Sequence, residues 1–157
     1  MKNKFSHIDS AGNPKMVDVS KKAVTVRTAR AQAVIKLGKK ITSQMKGNEL
    51  ITKKGPVFQT AIVAGVLAAK RTSDLIPFCH PIGVEDCQIK IEIKKLQAVI
   101  TSITKVTSKT GVEMEALTAC TVAALTVYDM CKALSHKMVI EEIKLLEKTG
   151  GKKDFLR

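Results

Sequence analysis

Thirteen consecutive residues without a charge, Ala116 to Tyr128, lie between Glu115 and Asp129. The run is apolar or small on every side rather than along one stripe, so as a helix it has to be covered all round. It is too short to cross a bilayer, which takes about 20 residues. A two-layer sandwich would cover one side of such a helix and leave the other wet. The run therefore predicts that another subunit completes the cover, and that the chain is oligomeric.

The rest of the chain has to supply a sheet for this helix. Ala29, Ala31, Ala33, Ile35 and Leu37 alternate with Arg30, Gln32 and Lys36 from Arg27 onward, which predicts a strand. Val24 and Val26 have the opposite phase, so a strand starting earlier would need a bulge near Arg27. Ile89, Ile91 and Ile93 alternate with charged residues, a half-buried strand, and Val99 to Thr107 reads as its hairpin partner. Helices are expected over Lys39 to Met45, over Pro56 to Ala69 and from about Glu113 to Leu134. Met138 to Leu146 reads as a last strand. The Ala64-Gly65 pair would let another element come close. The main elements run strand, helix, strand, strand, helix, strand, which predicts an α+β sandwich with two helices on one face of an antiparallel sheet. One domain over residues 1–157 is expected, with 1–17 a flexible N-terminal arm and 149–157 a mobile C-terminal tail.

The formal net charge of +13, from 27 Lys and Arg against 14 Asp and Glu, attracts polyanions in general. Aromatics are only 3%, and single-strand binders stack bases on aromatic rings, so the composition argues against that class. No GxxxxGK[ST] loop, GxGxxG, HExxH or GxSxG occurs, so phosphates would have to be held by side chains. Cys79, Cys87, Cys120 and Cys131 make no zinc-ligand spacing. With no apolar leader in MKNKFSHIDS, reduced thiols and a cytoplasmic location are expected. Cys120 and Cys131 fall near one helix face and are expected to pack as small hydrophobes.

Few residues look chemical. Thr110 and Glu113 have the spacing of a capping box; Glu115, on nearly the opposite face, has no capping role. Asp129 and Lys132 are placed to pair on one helix face, yet Asp129 stands near the C-terminal end, where negative charge is disfavoured. Glu115 and Asp129 point the same way but are 14 residues apart, about 21 Å along a helix. One small reaction centre cannot use both from the same chain. His80, in a loop between Cys79 and Pro81, and Lys54, before Gly55-Pro56, read singly as surface polar groups.

Together these segments carry a resemblance. HIDSAGNPKMVDVS, KKGPVFQTA, AAKRTSDLIPFCHP, TSKTGVEMEALTACTVAALTVYDMCKAL and GGKKDF resemble the cyclic pyranopterin monophosphate synthases, the molybdenum cofactor biosynthesis protein C family, over nearly the whole chain. The resemblance implies a ferredoxin-like βαββαβ domain, a homohexamer built as a trimer of dimers, and active sites between subunits. It implies a lyase that converts (8S)-3',8-cyclo-7,8-dihydroguanosine 5'-triphosphate to cyclic pyranopterin monophosphate and releases pyrophosphate, with no metal or other cofactor and neither nucleic acid nor membrane as partner. By the same resemblance Lys54, Lys132 and Asp129 are catalytic; Phe78, Cys79, His80, Met114 and Glu115 bind substrate, with Glu113, Arg27 and Lys70 as further contacts. A lysine base needs a lowered pKa, which a neighbouring ammonium would supply and Asp129 would restrain while fixing the geometry. The sequence departs from the family at Ser73, where Trp is frequent, at Ile62, where Arg is frequent, and in a GGKKDF tail one residue short, which bears on Lys152. A basic nucleic-acid-binding module and a nucleotide-binding oligomer without chemistry are the alternatives.

Overall fold

A computed structural model describes residues 8, 9 and 11–157. In chain order the elements are β1 (Thr25–Lys36), α1 (Lys39–Thr42), β2 (Met45–Lys46), β3 (Glu49–Thr52), β4 (Gly55–Pro56), α2 (Val57–Ala69), α3 (Thr72–Leu75), β5 (Asp86–Lys94), β6 (Gln97–Ser108), α4 (Glu113–Cys131), β7 (Val139–Thr149) and β8 (Phe155–Leu156). The main sheet has the order β5-β6-β1-β7-β8, and all its pairings are antiparallel.

The period-two pattern of β1 does what it predicts. Ala29, Ala31, Ala33 and Ile35 are at most 1% exposed and form the core with α2 and α4. These alanines are poor strand formers by propensity, but small side chains let α4 lie close to the sheet. Close approach brings two buried hydroxyls of β6 to the helix. Ser102 Oγ donates to the Ala116 carbonyl at 2.6 Å and Thr104 Oγ1 to the Val112 carbonyl at 3.1 Å. The two pegs place the first turn of α4 against the sheet and satisfy groups that would be costly to bury alone. Gly65 serves the same end between the helices: a Cβ there would lie 2.7 Å from the Ala119 carbonyl and collide with Ile89.

The charge-free run, whose pattern requires cover all round, is only half covered by its own chain. Ala116, Ala119, Cys120, Ala123, Ala124 and Val127 are buried, while Leu125 is 53% exposed; on α2, Val63 and Leu67 are similarly bare. α4 as a whole, at 19 residues, has the length and apolarity of a membrane span. It lies along the sheet instead. Cys120 and Cys131 are buried free thiols inside it.

Several expectations change. No bulge forms at Arg27: β1 pairs with β6 without a break from Thr25 to Lys36, and Val24 and Val26 are simply exposed. The register shifts fall on the β7 side, at Arg30/Ala31 and Val34/Ile35. The helix expected over Lys39 to Met45 ends at Thr42, because Met45 begins a three-stranded β2-β3-β4 sheet. Pro56 caps α2 rather than opening it. α4 ends at Cys131, with Leu134 N–H closing onto the Cys131 carbonyl at 2.8 Å. At the C-terminus Gly150 turns at φ +80° and Phe155–Leu156 pair with β7. The arm expected over 1–17 lies partly outside the described residues; within them Ile8 bridges to Pro14.

A candidate active site in two halves

The first half lies at the C-terminal end of α4. Lys54 sits in the tight turn between β3 and β4. The other end of β3 is tied to the start of α2 by Glu49, whose carboxylate accepts the amides of Phe58 at 2.8 Å and Gln59 at 3.1 Å. A carboxylate at the positive end of a helix, answering amides without an intrahelical partner, is a stable arrangement. The Lys54 ammonium then reaches Asp129 Oδ2 at 2.8 Å and the Asp129 carbonyl at 3.1 Å. Lys132 reaches Asp129 Oδ1 at 2.7 Å, the pairing expected from its spacing.

One carboxylate thus bridges two ammonium groups. The hydrogen bonds from Lys132 and Lys54 pull the Asp129 pKa down to about 2. Asp129 in turn pushes the Lys132 pKa up. The expected lowering of a lysine pKa by its neighbour is therefore reversed for Lys132: the shared carboxylate outweighs the second cation. All three side chains are about half exposed. A cavity of about 430 Å³ opens beside them between Thr52, Lys54, Met130 and Leu134.

The second half lies at the N-terminal end of the same helix. Phe78, Cys79 and His80, in the loop after α3, face Met114 and Glu115 across a cavity of about 680 Å³. Phe78 is 44% and Met114 37% exposed, an apolar surface open to a flat ring. Glu115 is only 4% exposed. Burial, with a smaller push from the charge of Glu113, raises its pKa to about 7. Burial and then the Glu115 charge push up the Cys79 thiol as well. His80 Nε2 lies 2.7 Å from the Val17 carbonyl; a carbonyl only accepts, so that nitrogen carries the proton.

A basic cleft of about 440 Å³ adjoins this cavity. Lys22, Arg27, Lys109, Lys148, Lys152 and Lys153 line it together with Glu113, and Lys22, Glu113 and Lys152 border both spaces. Glu113 does not close a capping box: α4 has no side-chain cap, and Glu113 Oε1 pairs with Lys148 at 2.9 Å instead. Arg27 donates to the Lys109 carbonyl at 3.4 Å and keeps a buried Nε without a partner. Six cations around one carboxylate make a site for an anion.

The expected residues are thus gathered into two groups, not one. Lys54, Asp129 and Lys132 share one end of α4; Phe78, Cys79, His80, Met114, Glu115, Glu113 and Arg27 share the other. Lys70 caps the C-terminal end of α2 and borders none of these cavities. Lys152, in the shortened tail, borders both N-terminal spaces. Sequence reasoning missed Lys22, Lys148 and Lys153, whose signal was membership of a lysine excess, and Lys109, which stands in the TSKTGVEMEAL motif but was given no role. Among the described residues no three His, Cys, Asp or Glu side chains converge as a metal site.

The chain has clear relatives. The model of the MoaC family matches residues 16–151. Cyclic pyranopterin monophosphate synthase of Xanthomonas campestris pv. campestris (strain 8004) is 49% identical over 153 residues, covering 97% of this chain and 93% of that protein. Molybdenum cofactor biosynthesis protein 1 of Dictyostelium discoideum is 49% identical over 168 residues, and the match spans 27% of its length. A molybdenum cofactor biosynthesis bifunctional protein of Synechocystis sp. is 47% identical, matched over 45% of its length.

Proposed function

The chain belongs to the MoaC family, and from that premise we propose that it converts (8S)-3',8-cyclo-7,8-dihydroguanosine 5'-triphosphate to cyclic pyranopterin monophosphate and pyrophosphate in molybdenum cofactor biosynthesis. The observation that carries this reading is the near full-length identity to a synthase of that name. The geometry supports it in three ways.

The reaction needs proton transfers at the ring and charge stabilisation at the phosphates. Burial raises the Glu115 pKa to about 7 in the single chain, which suits a group that gives or takes a proton. Lys54 and Lys132 supply fixed positive charge, and Asp129 orients both. Lys132, held more firmly protonated, acts as a cation or acid rather than a base. Phe78 and Met114 offer the apolar wall for the ring, with Cys79 and His80 beside it and the basic cleft of Arg27 for phosphates.

Neither half is complete by itself, and about 21 Å of helix separates Glu115 from Asp129. Two α4 helices running antiparallel across a subunit interface would bring one chain's beginning to the other's end. The bare Val63, Leu67 and Leu125 on the helices support such cover. We read the assembly as a homohexamer, a trimer of dimers, of ferredoxin-like domains, which the β5-β6-β1-β7 order supports, and its location as cytoplasmic.

The test is turnover. Purified protein incubated with the cyclised substrate should yield cyclic pyranopterin monophosphate and one pyrophosphate per product. Substrate binding without turnover would mean a nucleotide-binding oligomer; tight duplex binding with a steep salt slope and no turnover would mean a nucleic-acid module.

A further inference from the structure

Between residues 11 and 24 only Val17 and Val19 are half-buried; the residues around them are exposed. Both valines border the cavity of Phe78, His80 and Glu115, and Lys22 borders that cavity and the basic cleft. Four hydrogen bonds hold the segment in this path. The Val17 carbonyl accepts from His80 at 2.7 Å, and the Ser20 carbonyl from the Lys109 ammonium at 2.8 Å. Within the segment Ser20 N–H donates to Asp18 Oδ1 at 2.8 Å and Lys22 N–H to the Val19 carbonyl at 3.0 Å. Lys109 also fixes Arg27, through its own carbonyl.

We propose that Val17 to Lys22 are a buckled wall of the substrate cavity, and that Lys109, fastening it through the Ser20 carbonyl, is a positioning residue for substrate binding. The inference rests on the functional reading above. The alternating burial explains why the wall needs a fastener. Val17 and Val19 face in, Asp18 and Ser20 face out, and two valines bury too little area to hold six residues of backbone in one conformation. A hydrogen bond from an ammonium group is stronger than a neutral one. Asp18, outside the cavity, shapes the turn that presents the Ser20 carbonyl to Lys109. Fixing the wall also fixes His80, since the Val17 carbonyl sets which imidazole nitrogen carries the proton.

The test uses the full chain. Lys109→Met should raise KM about tenfold, the worth of one charge-assisted hydrogen bond, with kcat within about twofold, and Lys109→Arg should recover most of the loss. Asp18→Ala should raise KM in the same direction, and the double variant should fall short of the product of the two effects. In the free protein both substitutions should speed amide exchange at Val19 to Lys22 and leave α4 unchanged. If Asp18→Ala is silent, or the two effects multiply, Lys109 touches substrate directly and the buckle is wrong. Unchanged exchange in Lys109→Met overturns the buckle whatever the enzyme does. A wild-type protein that does not turn over the cyclised substrate overturns only the functional reading.

Discussion

At the N-terminal end of α4 a carboxyl group is buried and its pKa is pushed up to about 7, with no cation opposing the burial. At the C-terminal end another is half exposed, held between two ammonium groups and pulled down to about 2. The two groups differ in environment, not in chemistry. Ser102 and Thr104 dock the first end into the core, and in the last turn Asp129 faces out beside a lysine-bearing hairpin while Met130 and Cys131 stay buried. One helix thus holds a carboxyl group able to exchange protons near neutrality and another kept charged, too far apart to act on one molecule.

The largest expected effect is on chemistry at the exposed end. Asp129→Ala and Lys54→Ala should each lower kcat by about 10²–10⁴-fold, the range for a positioned acid–base or charge-stabilising group. Melting should move by no more than about 4 °C, because half-exposed ion pairs contribute little stability. A large loss of melting temperature would make this end structural instead.

Gly65 packs against the middle of α4, between the two ends, so a substitution there should not discriminate between them. Gly65→Val should cost about 1–3 kcal/mol by overpacking, read as a lower denaturant midpoint with an unchanged slope. Tolerance of valine would mean that α2 and α4 do not pack as closely as the Ala119 contact requires.

A further test separates the two carboxyl groups by pH. The folded pKa of Glu115, about 7, is above the ordinary glutamate value of 4.5. Its contribution to stability is therefore fully present below pH 4.5 and is lost as pH rises to about 7. For an isolated chain the loss is about 3 kcal/mol. In the assembly, lysines of a second chain near Glu115 should make it smaller, and Glu115→Gln should abolish it. The full loss in the assembled protein would say that no partner cation reaches Glu115. Asp129 has the opposite sign, its contribution being lost only as pH falls below 3.8 toward 2.

Much of this was legible in the residues. The isoleucines of β5 and the alternating alanines of β1 marked their strands, since period two survives in short windows. Asp129 and Lys132 were legible as a pair because helical spacing determines it. The β2-β3-β4 sheet was not, because strands of two to four residues leave no period to read. Thr110 and Glu113 misled, since spacing cannot show that Lys148, 35 residues away, competes for Glu113. The burial of Glu115 was hidden for a related reason: a helix apolar on every side does not say which face meets the sheet. The link from His80 to Val17 runs through a backbone carbonyl, which every residue has, so no side-chain pattern could announce it.

The account's central claim is that one working site takes Glu115 from one chain and Asp129 from another. Glu115→Ala and Asp129→Ala proteins, each inactive alone, can be mixed under conditions where labelled subunits are shown to exchange. Sites built across two chains would then include some with neither defect, and activity should return to a fraction of wild type set by the statistics of mixing. If exchange is complete and no activity returns, both carboxyl groups serve the same chain's site or one is not needed, and the two-chain account is wrong.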